Sequence, residues 1–312
     1  MDRAELRGGV LALAGVVLLG LLVASATPGL PGELLVQSLR FHLVAAGLAL
    51  VAAAMMLGAR WRGLAVLLPV LAGLGHGALL LREFHVHERP AGEPAAQLRL
   101  LSFNVLSGNP RAAELVDAIL ADPPDVAVIM ETPGIRAHLG KLAEALPYRV
   151  GCADSRTCDI SLHSRFPIED GQIRTMPPFG NERLVVGRVR VDGQSVTIAG
   201  IHLSKPYFDQ ASWIELAHLG QVLEGVEGPL VLAGDFNSAP WTEPMARLAG
   251  RLELATGPWP PATWPVRLGP LGVPIDNVFT SGAARLLALE SGDSHGSNHR
   301  PLRAVIGLYG ER

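Results

Sequence analysis

Two hydrophobic patterns divide this chain of 312 residues. In the first, residues 8–26, 41–59 and 63–81 contain no Asp, Glu, Lys or Arg, and each run is 19 residues long. About 20 apolar residues in a helix cross a hydrocarbon core. The pattern therefore predicts three transmembrane helices inside a membrane part, residues 1–82. Residues 83–97 are charged, proline-bearing and aperiodic, which predicts a linker. From residue 98 to 312 the pattern changes to short apolar runs bounded by turn residues, as expected of a separate domain of strands and helices.

In that second part the apolar runs predict strands over 98–104, 126–130, 148–152, 159–163, 184–191, 195–201, 231–235, 274–279 and 302–308. Helical spacing predicts helices over 112–121, 135–145, 210–223 and 242–248. Asp192-Gly193 between two β-like runs is a two-residue hairpin signal. Several other connections are also short, so pairing is mostly antiparallel. The reading is α/β, with two mixed, mostly antiparallel sheets face to face and helices outside. Residues 257–274, rich in Pro, Gly and Trp, read either as a rim over a site or as an ordinary packed loop.

Charge orients the apolar part. Arg3 and Arg7 precede the first run, and Arg60 and Arg62 fill the tight connection between the second and third. Positive residues stay on the cytoplasmic side, so the amino terminus is expected inside and everything after residue 81 outside. Ala24-Ser25-Ala26 has the small-x-small look of a signal-peptidase site; cleavage there leaves two spans and the same placement of the rest. Of the 26 basic and 29 acidic residues, seven and five fall within 1–89, leaving 19 basic against 24 acidic in the remainder. A protein that grips a long polyanion shows a basic face, so nucleic acid is a disfavoured partner. Cys152 and Cys158, both in the outward part, read as a disulfide or as two free thiols.

The chemistry sits where the strands stop. Asn104, Glu131, His202, Asp235, Asn237, Asp276 and the pair Asn298-His299 all lie at or beside the ends of apolar runs. Singly, each has a bland explanation: an Asx turn, a helix cap, a satisfied core histidine. Asp235 and Asn237 differ in being two apart on one strand end, which places both on one face. Together these residue types suit phosphate-ester hydrolysis. It needs oxygen ligands for a hard cation, a histidine that moves protons near neutral pH, a carboxylate that orients it, and donors for charge building on phosphate.

The set resembles the endonuclease/exonuclease/phosphatase, or DNase I-like, superfamily. The resemblance rests on Ser102-Phe-Asn-Val105, Ile129-Met-Glu-Thr132, Gly200-Ile-His-Leu203, Gly234-Asp-Phe-Asn237, Ile275-Asp-Asn277 and Ser297-Asn-His-Arg-Pro301. It implies a four-layered α/β sandwich and a hydrolase acting on phosphate esters with Mg²⁺, or Mn²⁺ in its place. It also implies Glu131 as principal metal ligand with Asn104 beside it, and Asn298 where the family carries a metal-site aspartate. Asp235 then orients or deprotonates water, Asn237 holds the scissile phosphate, and His299, oriented by Asp276, contacts phosphate and moves protons. His202 is the other catalytic histidine, with Asp154 or Asp159 as its acidic partner. Asn298 lacks the usual charge, which leaves one metal or two open. The expected substrate is a phosphodiester or phosphomonoester near the membrane, lipid-linked esters included. A nuclease and a non-hydrolytic phosphate-binding module are the alternatives. The oligomeric state is unassigned.

Overall fold

The computed structural model describes residues 2–88, 90–152, 158–207, 210–257 and 259–310. The apolar third folds as helices. α1 (Arg3–Ala26) opens on a capping box, in which the Asp2 carboxylate accepts the Ala4 and Glu5 N–H groups and Glu5 reaches back to the Asp2 N–H. α3 (Arg40–Met56) and α4 (Arg60–Arg82) pack antiparallel behind it. Close approach depends on small residues: a Cβ on Gly47 would stand 2.7 Å from Val70. The two long apolar helical segments, Arg3–Ala26 and Arg60–His85, are long and apolar enough to cross a membrane; Arg40–Met56, at 17 residues, is shorter than the 19-residue run expected there. It stops early because the chain turns back through Gly58, whose φ is +86.

The first connection, 27–39, contains a short helix, α2 (Glu33–Ser38), whose buried residues are Leu34 and the polar Glu33, Gln37 and Ser38, too few to show an apolar period. The Glu33 carboxylate accepts the Gly29 and Leu30 N–H groups and the Gln37 side-chain amide.

The remainder is the expected sandwich. One sheet runs, in spatial order, β10 (Ala284–Ser291), β11 (Leu302–Leu308), β1 (Ala96–Asn104), β2 (Val126–Met130), β4 (Ile160–Ser164) and β3 (Tyr148–Val150). The other runs β5 (Glu169–Met176), β6 (Asn181–Val191), β7 (Gln194–His202), β8 (Leu230–Asp235) and β9 (Asp276–Ser281). Each sheet has one parallel pair, β1–β2 and β7–β8; the other pairs are antiparallel. Leu98, Leu100, Val126 and Val128 of one sheet meet Val185, Ile198, Val231 and Val278 of the other in a central core. The outer faces are covered by α5 (Ala112–Ala121) and α6 (Leu139–Leu142) on one side, and by α7 (Ala211–Leu223) and α8 (Glu243–Leu252) on the other.

Four sequence expectations are corrected. The helix over 135–145 is a 3-10 stretch, Thr132–His138, followed by the four-residue α6, because Pro133 and Gly134 disfavour a regular start. β5 and β10 are additional strands, both at sheet edges: β5 is mostly exposed and forms no apolar run, whereas β10 carries the apolar run 286–289, with Leu286 and Leu289 packed on the central core. The strand over 148–152 is shorter, and 159–163 shifts by one residue. Residues 83–97 are more than a tether: Phe84 is fully buried, stacked on Phe279 at 4.8 Å, and joins Leu81 in the core beneath α7 and α8. Cys152 and Cys158 are disulfide-bonded.

Candidate active site

Register brings the polar strand ends together. His202 pairs with Asp235 across the parallel β7–β8 junction, and Asp235 pairs with Asp276 across β8–β9. Three reactive side chains therefore stand side by side on one rim. The opposite sheet brings Asn104 at the end of β1, next to Met130, and Glu131 follows directly. Glu131 has φ +54 and Asn237 has φ +48. Asn tolerates that left-handed region, whereas Glu adopts it at a cost that structures bear mainly at functional positions.

The centre is Asp235, buried to 1 % exposure. His202 Nδ1–H donates to Asp159 at 2.6 Å, and His299 Nδ1–H donates to Asp276 at 2.8 Å. Those bonds fix both rings so that their Nε2 atoms face the same atom, Asp235 Oδ2, at 3.7 and 3.8 Å. Asn104 Nδ2 donates to that oxygen at 3.1 Å and to Glu131 at 3.2 Å. The other Asp235 oxygen accepts the Asn237 N–H, while the Asn237 side-chain amide donates to Leu203 O. Ser297 ties the His299 loop to β1, donating its hydroxyl to Asn104 O and accepting the His299 N–H.

Electrostatics follow from this packing. Burial alone would lower His299, but Asp276 and Asp235 outweigh it and raise it to about 9. Burial is likewise overcome at His202, where the hydrogen bond and charge of Asp159, with Asp235, leave it raised. Asp235 is raised by burial and by Asp276, against the pull of the two histidines. Glu131 moves the other way: burial pushes its carboxyl up, but the Ser107 N–H at 2.7 Å, His202 and Asn104 bring it below its ordinary value. Four carboxylates, Asp159, Glu131, Asp235 and Asp276, surround two imidazoles, and Asp276 Oδ1 is buried with no hydrogen-bond partner among the described residues. Asp235, Asp276 and His299 offer ligand atoms within 4.8 Å of one another. The donor set suits a hard cation.

Sequence reasoning placed seven of its eight site residues in this cluster's hydrogen-bonded core. Asn298 is at the cavity's edge instead: its side chain is exposed and its backbone carbonyl accepts the Val266 N–H. Of the two acidic partners offered to His202, Asp159 is the one in contact; Asp154 lies outside the described residues. His163, another strand histidine, is in the core, bonded to Ser161. Trp264 and Val273 of the cavity's wall belong to 257–274, the segment read as a rim or a packed loop; what the sequence did not reveal is the rest of the wall, Leu35, Leu106, Tyr207 and Ile275, with Lys205 and Ser38 beside them. No local motif marks residues brought from such distant segments.

The profile of the Endonuclease/Exonuclease/phosphatase family matches residues 101–299, spanning all these groups. The chain belongs to that family. It is a hydrolase acting on phosphate ester bonds, the chemistry of the family's phosphodiesterases and nucleases. No curated protein sequence matches it. Solved structures share the fold. An endonuclease/exonuclease/phosphatase from Beutenbergia cavernae is 20 % identical with TM-score 0.55, over 69 % of this chain and 72 % of that one. TDP2 from D. rerio, complexed with a single-strand DNA product, is 17 % identical with TM-score 0.59, over 68 % and 99 %. Beta toxin from Staphylococcus aureus, with bound magnesium ions, is 15 % identical with TM-score 0.52, over 69 % and 100 %.

Proposed function

We propose that the chain is a membrane-anchored, Mg²⁺-dependent phosphoesterase. Its water attacks phosphorus in a phosphodiester or phosphomonoester on the extracytoplasmic side. The observation that carries this reading is the pair of histidine–aspartate dyads aimed at one carboxylate oxygen of Asp235.

Each role follows from placement. Asp235 orients the attacking water and takes its proton; its burial and its aspartate neighbour keep its basicity high. The water oxygen bonds to phosphorus, the bond to the leaving oxygen breaks, and that oxygen takes a proton. His299 is the donor, since Asp276 holds its imidazolium at neutral pH, and its charge also faces the phosphate. His202, held by Asp159, is the second charged donor. Asn237 is fixed against Leu203 O and holds the scissile phosphate. Glu131 and Asn104 would hold the cation through their side-chain oxygens; Asn104 Oδ1 here accepts the Leu106 N–H. When bound, Mg²⁺ supplies charge against the developing negative charge on phosphate. Asn298 contributes no charge, which favours one cation.

Membrane anchoring is supported by apolar surface on the helices. Leu13, Val16, Leu19 and Leu22 of α1 and Leu68 and Leu79 of α4 are 59–71 % exposed, a patch that water alone would not favour. Arg3, Arg7, Arg60 and Arg62 put the amino terminus and the α3–α4 turn inside. Both parts of the reading are open to test. Turnover in ¹⁸O-water is expected to place the label on the phosphate product; label in the released alcohol would exclude attack at phosphorus. A reporter active only outside the cytoplasm, fused after residue 312, is expected to be active, and a cytoplasm-only signal would overturn the topology.

A further inference from the structure

The catalytic groups form only the floor of a cavity of about 160 Å³. Its wall is apolar, and part of it comes from the helical third of the chain: Leu35 and Ser38 of α2 line the same space as Glu131, Asp235, Asn237 and His299. α2 is held there by polar bonds to the segment just after Asn237. Ser38 Oγ accepts the Ala239 N–H, Ser38 O accepts the Trp241 indole N–H at 3.0 Å, and Gln37 Oε1 accepts the Glu243 N–H at the start of α8. Glu33, Gln37 and Ser38 are all buried. Tight docking is also built into Gly32, which has φ +76 and whose Cβ would meet Tyr207 O at 2.9 Å. Trp264, Val273 and Ile275 line the same cavity as Leu35.

The same wall continues to the helix ends. α2 is joined within a few residues to α1 and α3. His42, at the start of α3, donates to Leu271 O, and Phe41 packs on Trp241 and Trp259 at 4.7 and 5.5 Å. Trp259, Leu268 and Leu271 of this loop are 57, 49 and 70 % exposed. Tryptophan and leucine exposed beside apolar helix ends suit the headgroup zone of a bilayer. The surplus of acid in residues 90–312 does not suit a nucleic-acid backbone.

We propose that α2 completes the active site, and that Leu35 with Trp264 selects phosphate esters carrying an aliphatic chain, so that the substrate is a lipid phosphoester presented from the bilayer. The proposal rests on the phosphoesterase reading of the same floor. Phosphate enters toward Asp235 and His299, and the first methylenes of the chain lie between Leu35 and Trp264.

The test uses the full chain in lipid nanodiscs with Mg²⁺, empty nanodiscs as blank, and calorimetric titration with methyl, butyl and hexyl phosphate and with a dinucleotide. Burying a methylene strengthens binding about three- to fourfold, so hexyl phosphate is expected to bind roughly tenfold or more tighter than methyl phosphate. In Leu35→Asp, and less steeply in Leu35→Ala, the ratio of hexyl to methyl affinity falls toward one; Trp264→Ala does the same. Equal affinity for methyl and hexyl phosphate in the unaltered chain would overturn the proposal. So would a ratio that survives Leu35→Asp, or a dinucleotide that outcompetes hexyl phosphate. If no phosphate binds and no ester is hydrolysed, the phosphoesterase reading itself fails. Loss of methyl and hexyl binding in equal proportion in Leu35→Ala would mark a structural role and overturn the selective one.

Discussion

The floor and the wall of the cavity were assembled by different physics. The floor is made of strand ends, where a regular backbone places charged groups at fixed spacing and neighbouring strands align them; Asp235 meets His202 and Asp276 by register alone. The wall is made of segments with little regular structure, held by packing and by a few polar bonds from a six-residue helix. A rigid floor suits chemistry that tolerates little displacement. A wall assembled from separate segments can vary without disturbing that floor, which suits substrate choice. Changes in the floor should therefore cut turnover, and changes in the wall should alter discrimination.

The sharpest break is at the shared centre. Asp235→Ala removes the group both histidines face, and kcat is expected to fall roughly 10³-fold or more, in the upper half of the ~10²–10⁴-fold usual for a positioned acid or base. Steady-state kinetics with circular dichroism as a folding control checks it. His299→Ala and His202→Ala should each cost about 10²-fold or more, and the double variant should cost less than the product, because both act on one site. Multiplicative losses would show that the dyads work independently.

Next in size are the groups behind the floor. Asp276→Asn keeps the shape beside His299 but removes the charge that holds its proton, and kcat should drop about 10–100-fold, as for outer partners of catalytic groups. Unchanged kcat would remove Asp276 from the mechanism.

The smallest effect concerns stability and separates the site from the core. His163 is fully buried; burial first, then Arg149, lowers it to about 3. Its Nε2–H donates to Ser161, whose hydroxyl donates to Thr132, whose hydroxyl donates to Ile129 O. An imidazolium could still donate from Nε2, so it is the burial of its charge that keeps the ring neutral. Because the unfolded chain takes up the proton near pH 6.5 and the folded one near 3, this stabilisation is complete above pH 6.5. It is lost as pH falls between those values, by about 1.4 kcal/mol per pH unit. His163→Gln is expected to flatten the fall in unfolding midpoint between pH 7 and 5 without lowering kcat; an unchanged slope would contradict the buried neutral imidazole.

The contrast also explains what could be read from the sequence. Asn104, Glu131, His202, Asp235, Asn237, Asp276 and His299 were legible because each stands at or beside the end of an apolar strand, and strand ends gather at one edge of a sheet. The sandwich was legible for the same reason, through runs such as 126–130 and 231–235. Edge strand β5 was not, since an exposed edge needs no apolar face; β10 was missed although 286–289 is an apolar run whose Leu286 and Leu289 pack on the core. Asn298 matched by position in a motif, yet its exposed side chain shows that sequence position fixes the loop and leaves side-chain direction open. α2 was not legible because six residues are too few to show a helical period, and its buried polar residues Gln37 and Ser38 are held by partners some 200 residues away. Long-range hydrogen bonding leaves no local periodicity to find.

Docking of α2, Leu81 and Phe84 onto the sandwich also determines how the protein should be handled: a fragment starting near residue 90 lacks part of the cavity and part of the core. The decisive measurement therefore uses the full chain in nanodiscs. Release of product from a phosphate ester is followed with Mg²⁺, after chelation, and after Mg²⁺ is restored, in the unaltered chain and in Glu131→Ala. The account predicts turnover that vanishes on chelation, returns with Mg²⁺, and is absent or reduced about 10²-fold or more in the variant. Turnover that survives chelation, or that Glu131→Ala leaves intact, would contradict it.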